Sequence, residues 1–255
     1  MNLTAEQQTL LASIPDPMFR QTTRDFCVNQ QFRKDYWVKG CRTLTALEQA
    51  EALRGQRILL AQPRADVGLK VTGSLGEATL QEAVYGPILD QLADHKPKTL
   101  GQLEQALKAT PSTQSLSFAQ ILQAAMVLSA TGAVQAVQDD AVVQKAKKRT
   151  DRLNVYLMTK ARSSNELSYL ASPVTGGGVT VPRFQQLFLL AKQQGHKHPQ
   201  DWANFVWNIL ALQNQRLVKD GKTLESAEEN LAELTAQASE FAEKQLPILK
   251  ALQIA

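Results

Sequence analysis

The stretch Ala171-Ser-Pro-Val-Thr-Gly-Gly-Gly-Val-Thr-Val-Pro-Arg-Phe-Gln-Gln-Leu-Phe-Leu-Leu190 constrains the fold more than any other. It places a short apolar run, three glycines, a proline and a helical period in immediate succession. A strand is expected over Leu167 to Ser172, then a turn at Gly176, Gly177 and Gly178. A second strand follows over Val179 to Val181, and then a helix. Consecutive glycines allow the backbone to turn with φ > 0, and Pro182 suits a first helical position, where a missing N–H is harmless. On spacing alone this is a tight hairpin feeding a helix, so the chain has to mix α with β.

Elsewhere the helical period dominates, and the expected class is α+β, mostly α. A helix is expected from Glu77 to Ala93, with Leu80, Val84, Ile88 and Leu92 on one face. Ser74 and Glu77 would form its capping box. A shorter helix over Leu100 to Lys108 takes Thr99 as its cap. A third runs from Phe118 to Ala130 and stops at Gly132, a C′ glycine. Ala133 to Gln138 then reads as a strand. Three helices and a strand is a winged-helix order. In the last third, helices are expected over Thr150 to Ser163, after Pro182, from Pro199, and from the Ser226/Glu229 capping box through Phe241. Asn214 to Gly221 reads as a polar loop or frayed helix end. Gln56 to Gln62 and Leu69 to Thr72 read as strands ahead of the middle helices.

Charge marks approximate module boundaries. Residues 76–140 hold three basic residues against seven acidic ones, net −4, whereas residues 145–162 hold Lys145, Lys147, Lys148, Arg149, Arg152, Lys160 and Arg162 against Asp151 alone. Three units follow: residues 1–75, a winged-helix-like module over 76–145, and a helix-rich module over 146–255 with a small β-hairpin. A winged helix invites comparison with DNA readers, whose affinity comes mainly from cations meeting phosphates. Residues 115–132 contain no Lys or Arg, so that module is expected to pack against protein, and nucleic acid is not an expected partner. The alternative is a nucleic-acid-binding protein that uses the basic segment 145–162. That segment reads either as a solvated helix face or as a patch that receives an acidic partner.

No catalytic constellation stands out. His196 and His198 lie two apart without the further ligands a metal site needs, so no metal is expected. The sequence has no G-x-S-x-G, P-loop or C-x-x-C motif, and no independent chemistry is expected of the chain. Cys27 and Cys41 read as free, partly buried thiols of a cytoplasmic protein. No apolar run approaches the ~18 residues that span a bilayer, and Met1-Asn-Leu-Thr-Ala-Glu lacks the basic start of a secretory leader.

The Ala171–Leu190 stretch as a whole resembles the C-terminal region of class I S-adenosylmethionine (SAM)-dependent methyltransferases that carry a methyltransferase regulatory domain. The resemblance continues in Gln213 to Leu224, Glu229 to Leu234 and Leu246 to Ala255. Asp16 to Gly40 resembles the opening of the regulatory domain: a helix ending in an Asn-x-x-Phe-Arg turn at Asn29, Phe32 and Arg33, then a strand over Tyr36 to Lys39. Members of that family place a SAM-binding Rossmann domain upstream, for which this chain has no room. Such a domain needs a glycine-rich turn between a strand and a helix. The nearest candidate, Gly73-Ser-Leu-Gly76, lacks the third glycine.

The resemblance therefore implies a non-catalytic module for regulation or substrate recognition. It would bind no cofactor itself and would work with a SAM-dependent catalytic domain in cis or in trans. It further implies a protein substrate, since some relatives methylate protein lysines, and contacts between two copies. Candidate partner- or substrate-binding residues combine motif match with polar, cationic or aromatic chemistry: Phe32, Arg33, Trp37 and Lys39; Gly176, Gly177, Gly178 and Arg183; Arg216 and Lys219.

Overall fold

In this computed structural model, which describes residues 3–33, 35, 37–73 and 76–255, three short helices lead the chain. They are α1 (Ala5–Ser13), α2 (Pro17–Cys27) and α3 (Ala46–Arg54). Strand β1 (Arg57–Leu60), a 3-10 turn at Arg64–Asp66 and the hairpin β2 (Lys70–Gly73) and β3 (Gly76–Thr79) follow. Then come α4 (Glu82–Leu92), β4 (Lys98–Thr99), α5 (Leu100–Lys108), α6 (Phe118–Ala130) and β5 (Val134–Ala136). The rest is α7 (Asp140–Lys160), β6 (Tyr169–Ser172), β7 (Gly177–Thr180), α8 (Arg183–Gln193), α9 (Pro199–Leu212), β8 (Val218–Lys219), β9 (Lys222–Thr223) and α10 (Ala227–Glu240). A π turn at Phe241–Gln245 joins α10 to α11 (Leu246–Ala251). The class is α+β, mostly α, with small antiparallel sheets.

β1 joins two hydrophobic cores. Alternate strand residues point to opposite faces, and here Ile58 and Leu60 enter one core while Leu59 enters the other. The first core is built on α4, α5 and α6 around Ile88, Leu103 and Ile121. The second is built on α8, α9 and α10 around Phe188, Trp202 and Leu234. In it the Phe188 and Phe241 rings lie 5.6 Å apart, with Trp202 edge-on to Phe241. β1 takes the centre of a three-stranded sheet, β4-β1-β5, with Ile58 opposite both Lys98 and Ala136. The strand beside β5 thus comes from upstream of the three helices, and β5 runs on into α7 with no hairpin between them.

Several local expectations change. The helix expected from Glu77 begins only at Glu82, because Gly76–Thr79 pairs with Lys70–Gly73 as a hairpin. Gly76 has φ +110, which a right-handed helix excludes. Ser74, the expected cap, lies outside the described residues. The helix expected from Thr150 already starts at Asp140, since the run of Lys, Arg and Gln over 144–149 costs little rotamer freedom in a helix. The expected turn of three glycines is Pro173–Gly176 instead: Gly176 alone has φ +71, while Gly177 and Gly178 pair within β7 opposite Ser172 and Ala171. Pro182 caps α8 from outside and is not its first residue. The polar stretch after α9 holds a two-residue hairpin, with Asp220 (φ +50) and Gly221 (φ +76) at the turn. Both central residues with φ > 0 is the turn that matches strand twist, and Asp-Gly is its favoured sequence.

Of the strand expected over Tyr36 to Lys39, Tyr36 lies outside the described residues. Trp37 and Val38 belong to no strand, and at 83% and 69% exposure they have no sheet face to bury. Cys27 is half-buried and Cys41 is exposed rather than partly buried, both as thiols. Among the described residues no helix is long and apolar enough to cross a membrane.

Candidate functional site

The N-terminal helices are well formed locally yet add little to either core. Thr4 and Gln7 make a reciprocal capping box on α1. Asp16 opens α2 by accepting the Phe19 N–H at 2.6 Å, with Pro17 at the first helical position. The corner between the helices is fixed by Arg20, whose guanidinium donates to the Ile14 carbonyl from Nε at 2.9 Å and from Nη2 at 2.7 Å. Leu11 and Ile14 are buried at this corner but belong to neither core.

α2 buries no residue at all. Met18, Phe19 and Phe26 recur at i, i+1 and i+8, so they share one side of the helix, and they are exposed. The hydroxyls of Thr22 and Thr23 turn back to the carbonyls of Met18 and Phe19. α2 ends at Cys27, and Asn29 follows in the left-handed region at φ +50, where Asn is tolerated. Arg33 then pairs with Asp25 of α2 and stands 3.9 Å from Asp35. That pairing folds the chain back alongside the helix and leaves Phe32 85% exposed. Trp37, Lys39 and Leu47 are exposed as well. Soluble monomers rarely leave large apolar patches uncovered.

The other candidate residues sit in two places remote in sequence from this segment. Arg183 is spent inside the fold: Nε donates to the Ala161 carbonyl at 2.8 Å and Nη2 to the Arg162 carbonyl at 3.1 Å, closing the end of α7. Its remaining donors reach Gln215 and Gln213 beyond α9. Burial pushes its pKa down from the ordinary value, although a guanidinium remains charged. Gly176 is a conformational requirement, and a Cβ there would meet the Gln138 side chain at 3.0 Å. Gly177 has open space around it, and Gly178 faces Tyr169 at ordinary contact distance. Lys219 pairs with Glu233 of α10 at 2.7 Å, and Arg216 lies over the Trp207 ring at 5.3 Å. The structure therefore brings Phe32, Arg33, Trp37 and Lys39 into one exposed segment and gives Arg183, Lys219 and Gly176 intramolecular work.

Sequence reasoning missed Met18, Phe19 and Phe26. Their spacing behind an Asp-Pro helix start was the available signal. An apolar stripe of this kind ordinarily means core, and only the finding that α2 buries no residue separates the two cases.

A cleft of about 270 Å³ lies between α7, α8 and Ile254. Its charged residues are Lys147, Asp151 and Lys192, and Lys147 pairs with Asp151. No side chain there pairs a nucleophile with a base. Gly73 and Gly76 end the two strands of one hairpin and Gly176 closes another, so neither leads a strand into a helix N-terminus. Among the described residues no group of three or more His, Cys, Asp or Glu is placed to hold a metal.

Residues 1–39 match the family described as a predicted methyltransferase regulatory domain. The match covers the segment whose apolar side chains stand uncovered. The chain is also 38% identical over 254 residues to an uncharacterized protein of Synechocystis sp., sll1526, an alignment that takes in 100% of this chain and 48% of that protein. The chain thus spans about half the length of the curated relative it matches. No solved structure matches.

Proposed function

We propose, for a chain whose first 39 residues match a methyltransferase regulatory domain, that it is the regulatory and substrate-recognition part of a SAM-dependent methyltransferase. The catalytic domain, in cis or in trans, would supply SAM binding and methyl transfer, and this chain would dock to it. The observation that carries the reading is that the family-matched segment is also the one with Phe26, Phe32 and Trp37 each more than four-fifths exposed.

Magnitudes bound what that surface can do. Aromatic side chains bury about 150–250 Å² each. At about 25 cal/mol per Å², three of them offer roughly 11–19 kcal/mol gross. Association itself costs ~4–15 kcal/mol. Three aromatics alone would bind weakly, so the interface has to extend to Met18, Phe19 and the polar rim of Arg33 and Lys39. A protein substrate and a second copy of the chain are further occupants of such a surface, and the cytoplasm is the expected compartment.

The test has two readouts. Calorimetric titration with SAM and with S-adenosylhomocysteine is expected to give no heat. Affinity purification with the chain as bait is expected to recover a protein with a SAM-binding catalytic domain, and the Phe26→Ser/Trp37→Ser variant is expected to lose it. Micromolar SAM binding by the chain itself, or recovery unaffected by the double substitution, would sink the reading.

A further inference from the structure

α7 carries a second surface, unconnected with the N-terminal segment. Its 21 residues extend for ~31 Å. Val143, Asn154 and Met158 are buried along one side, which fixes the helix on the fold. On the opposite side Val142, Lys145, Arg149, Arg152, Leu153, Tyr156 and Lys160 fall within an arc of roughly 100° at 3.6 residues per turn, and all seven are exposed. The two acidic residues of α7, Asp140 and Asp151, lie off this arc. Asp140 pairs with Arg57 at 2.9 Å, and Asp151 pairs with Lys147.

The charges of this stripe differ from charges elsewhere in the chain. In the middle module most acids are neutralised locally: Arg64 takes Asp90, Lys98 takes Asp94, and Arg54 and Lys108 share Glu104. Lys145, Lys148, Arg149, Arg152 and Lys160 form no ion pair with the described residues. The nearest thing to a partner is the Tyr156 ring, 5.4 Å from the Lys160 ammonium. The four uncompensated cations of the stripe, with Lys148 beside it, repel one another, and an anionic surface laid along the stripe would relieve that repulsion.

The apolar residues decide which anion. Val142, Leu153 and Tyr156, 48%, 47% and 57% exposed, recur along the same stripe as the cations. A phosphate backbone offers nothing to Val or Leu, and the net −4 module beside the start of α7 would repel it. A membrane surface needs an apolar face that sinks about 5–10 Å, whereas these side chains are already half covered by the fold. An amphipathic protein helix with acidic flanks supplies both an apolar row and carboxylates at matching spacing. We infer that the exposed stripe of α7 is a docking face for an acidic amphipathic segment of a partner protein, with Arg149 and Arg152 as its charged centre and Leu153 and Tyr156 as its apolar contacts.

Fluorescence anisotropy with the full 255-residue chain tests this. The probe is a labelled 21-residue peptide of three heptads, with Leu in an a/d row and Glu on both flanks. Its controls are the same composition scrambled, a 20-base-pair DNA duplex, and vesicles rich in phosphatidylglycerol. Expected is micromolar binding of the patterned peptide that weakens about tenfold between 50 and 200 mM salt. Arg149→Glu/Arg152→Glu should weaken it at least tenfold, and Leu153→Ser/Tyr156→Ser about threefold or more, with unchanged far-UV circular dichroism. Absent binding, equal binding of the scrambled peptide, indifference to both double substitutions, or tighter binding of the duplex or vesicles overturns the assignment. None of these results bears on capture of a methyltransferase through Phe26 and Trp37.

Discussion

Asn154 of α7 holds Ala171 of β6 by both ends of its amide. Nδ2 donates to the Ala171 carbonyl at 2.8 Å, and Oδ1 accepts the Ala171 N–H at 2.7 Å. The side chain is 2% exposed. Among the described residues β6 has only β7 as a strand neighbour, so Asn154 completes pairing on its other edge and locks the hairpin to the long helix. The hairpin is tied a second time by Ser172, whose Oγ donates to the Leu252 carbonyl at 2.8 Å.

Asn154→Ala should therefore be costly. It leaves one part-buried N–H and one part-buried C=O unpaired, each worth about 1–3 kcal/mol when orphaned. The expected loss is ~2–4 kcal/mol in urea unfolding, against at most ~0.5 kcal/mol for Thr159→Ala on the exposed side of α7. Equal midpoints for the two variants would show that Asn154 does not hold the hairpin.

The three glycines should separate in the same assay. Gly176→Ala places a Cβ at φ +71 and 3.0 Å from the Gln138 side chain, so a loss of ~1–2 kcal/mol is expected. Gly177→Ala has open space and strand backbone, and should be neutral or slightly stabilising. A Gly177 variant as damaged as the Gly176 variant would point to a contact made with something outside this chain.

The contrast between these glycines shows what was legible beforehand. Signals confined to a few residues were readable. Thr99 caps α5, Ser226 and Glu229 box α10, and Gly132 sits one residue past the C-cap of α6 at φ +79. Each depends only on neighbours within one turn. β2 is legible as the strand expected over Leu69 to Thr72, whereas β3 reads as a helix start because Leu80, Val84 and Ile88 continue a helical period that actually begins at Glu82. Long-range polar links were invisible. Arg183 reads as an exposed cation until the ends of α7 and α9 come together around it, and Asn230 gives no hint that it accepts the Leu217 N–H and donates to the Leu224 and Ser226 carbonyls. For the N-terminal site, motif resemblance picked out Phe32 and Trp37, while the apolar side of α2 needed the finding that no core lies against it.

If Phe26 and Trp37 face a partner rather than a core, removing them should leave the isolated chain intact. Phe26→Ser/Trp37→Ser is expected to shift the unfolding free energy by no more than ~0.5 kcal/mol per site, and to reduce binding of a hydrophobic dye. Phe188→Ala, in the second core at 1% exposure, should cost ~3–5 kcal/mol. A double variant that loses several kcal/mol would mean that the segment is structural.

Acid should weaken the attachment of α3 to the middle module. Glu104 of α5 is 6% exposed and accepts from Arg54 at 2.7 Å and from Lys108 at 2.7 Å. Arg54 also lies over the Phe118 ring at 4.5 Å, so this one side chain joins α3, α5 and α6. The Arg54 hydrogen bond, then that of Lys108, holds the Glu104 carboxyl below the ordinary 4.5, against the opposing effect of burial. A carboxyl with a depressed native pKa binds fewer protons folded than unfolded. Its stabilisation is complete above pH 4.5 and is lost as pH falls through the lower, native value. Glu104→Gln removes that dependence while keeping an oxygen for Arg54. The gap in thermal midpoint between the native chain and Glu104→Gln should be widest near neutrality and close at the acid end of the range where both remain folded. A gap independent of pH would assign the effect to packing around Glu104 instead of to its charge.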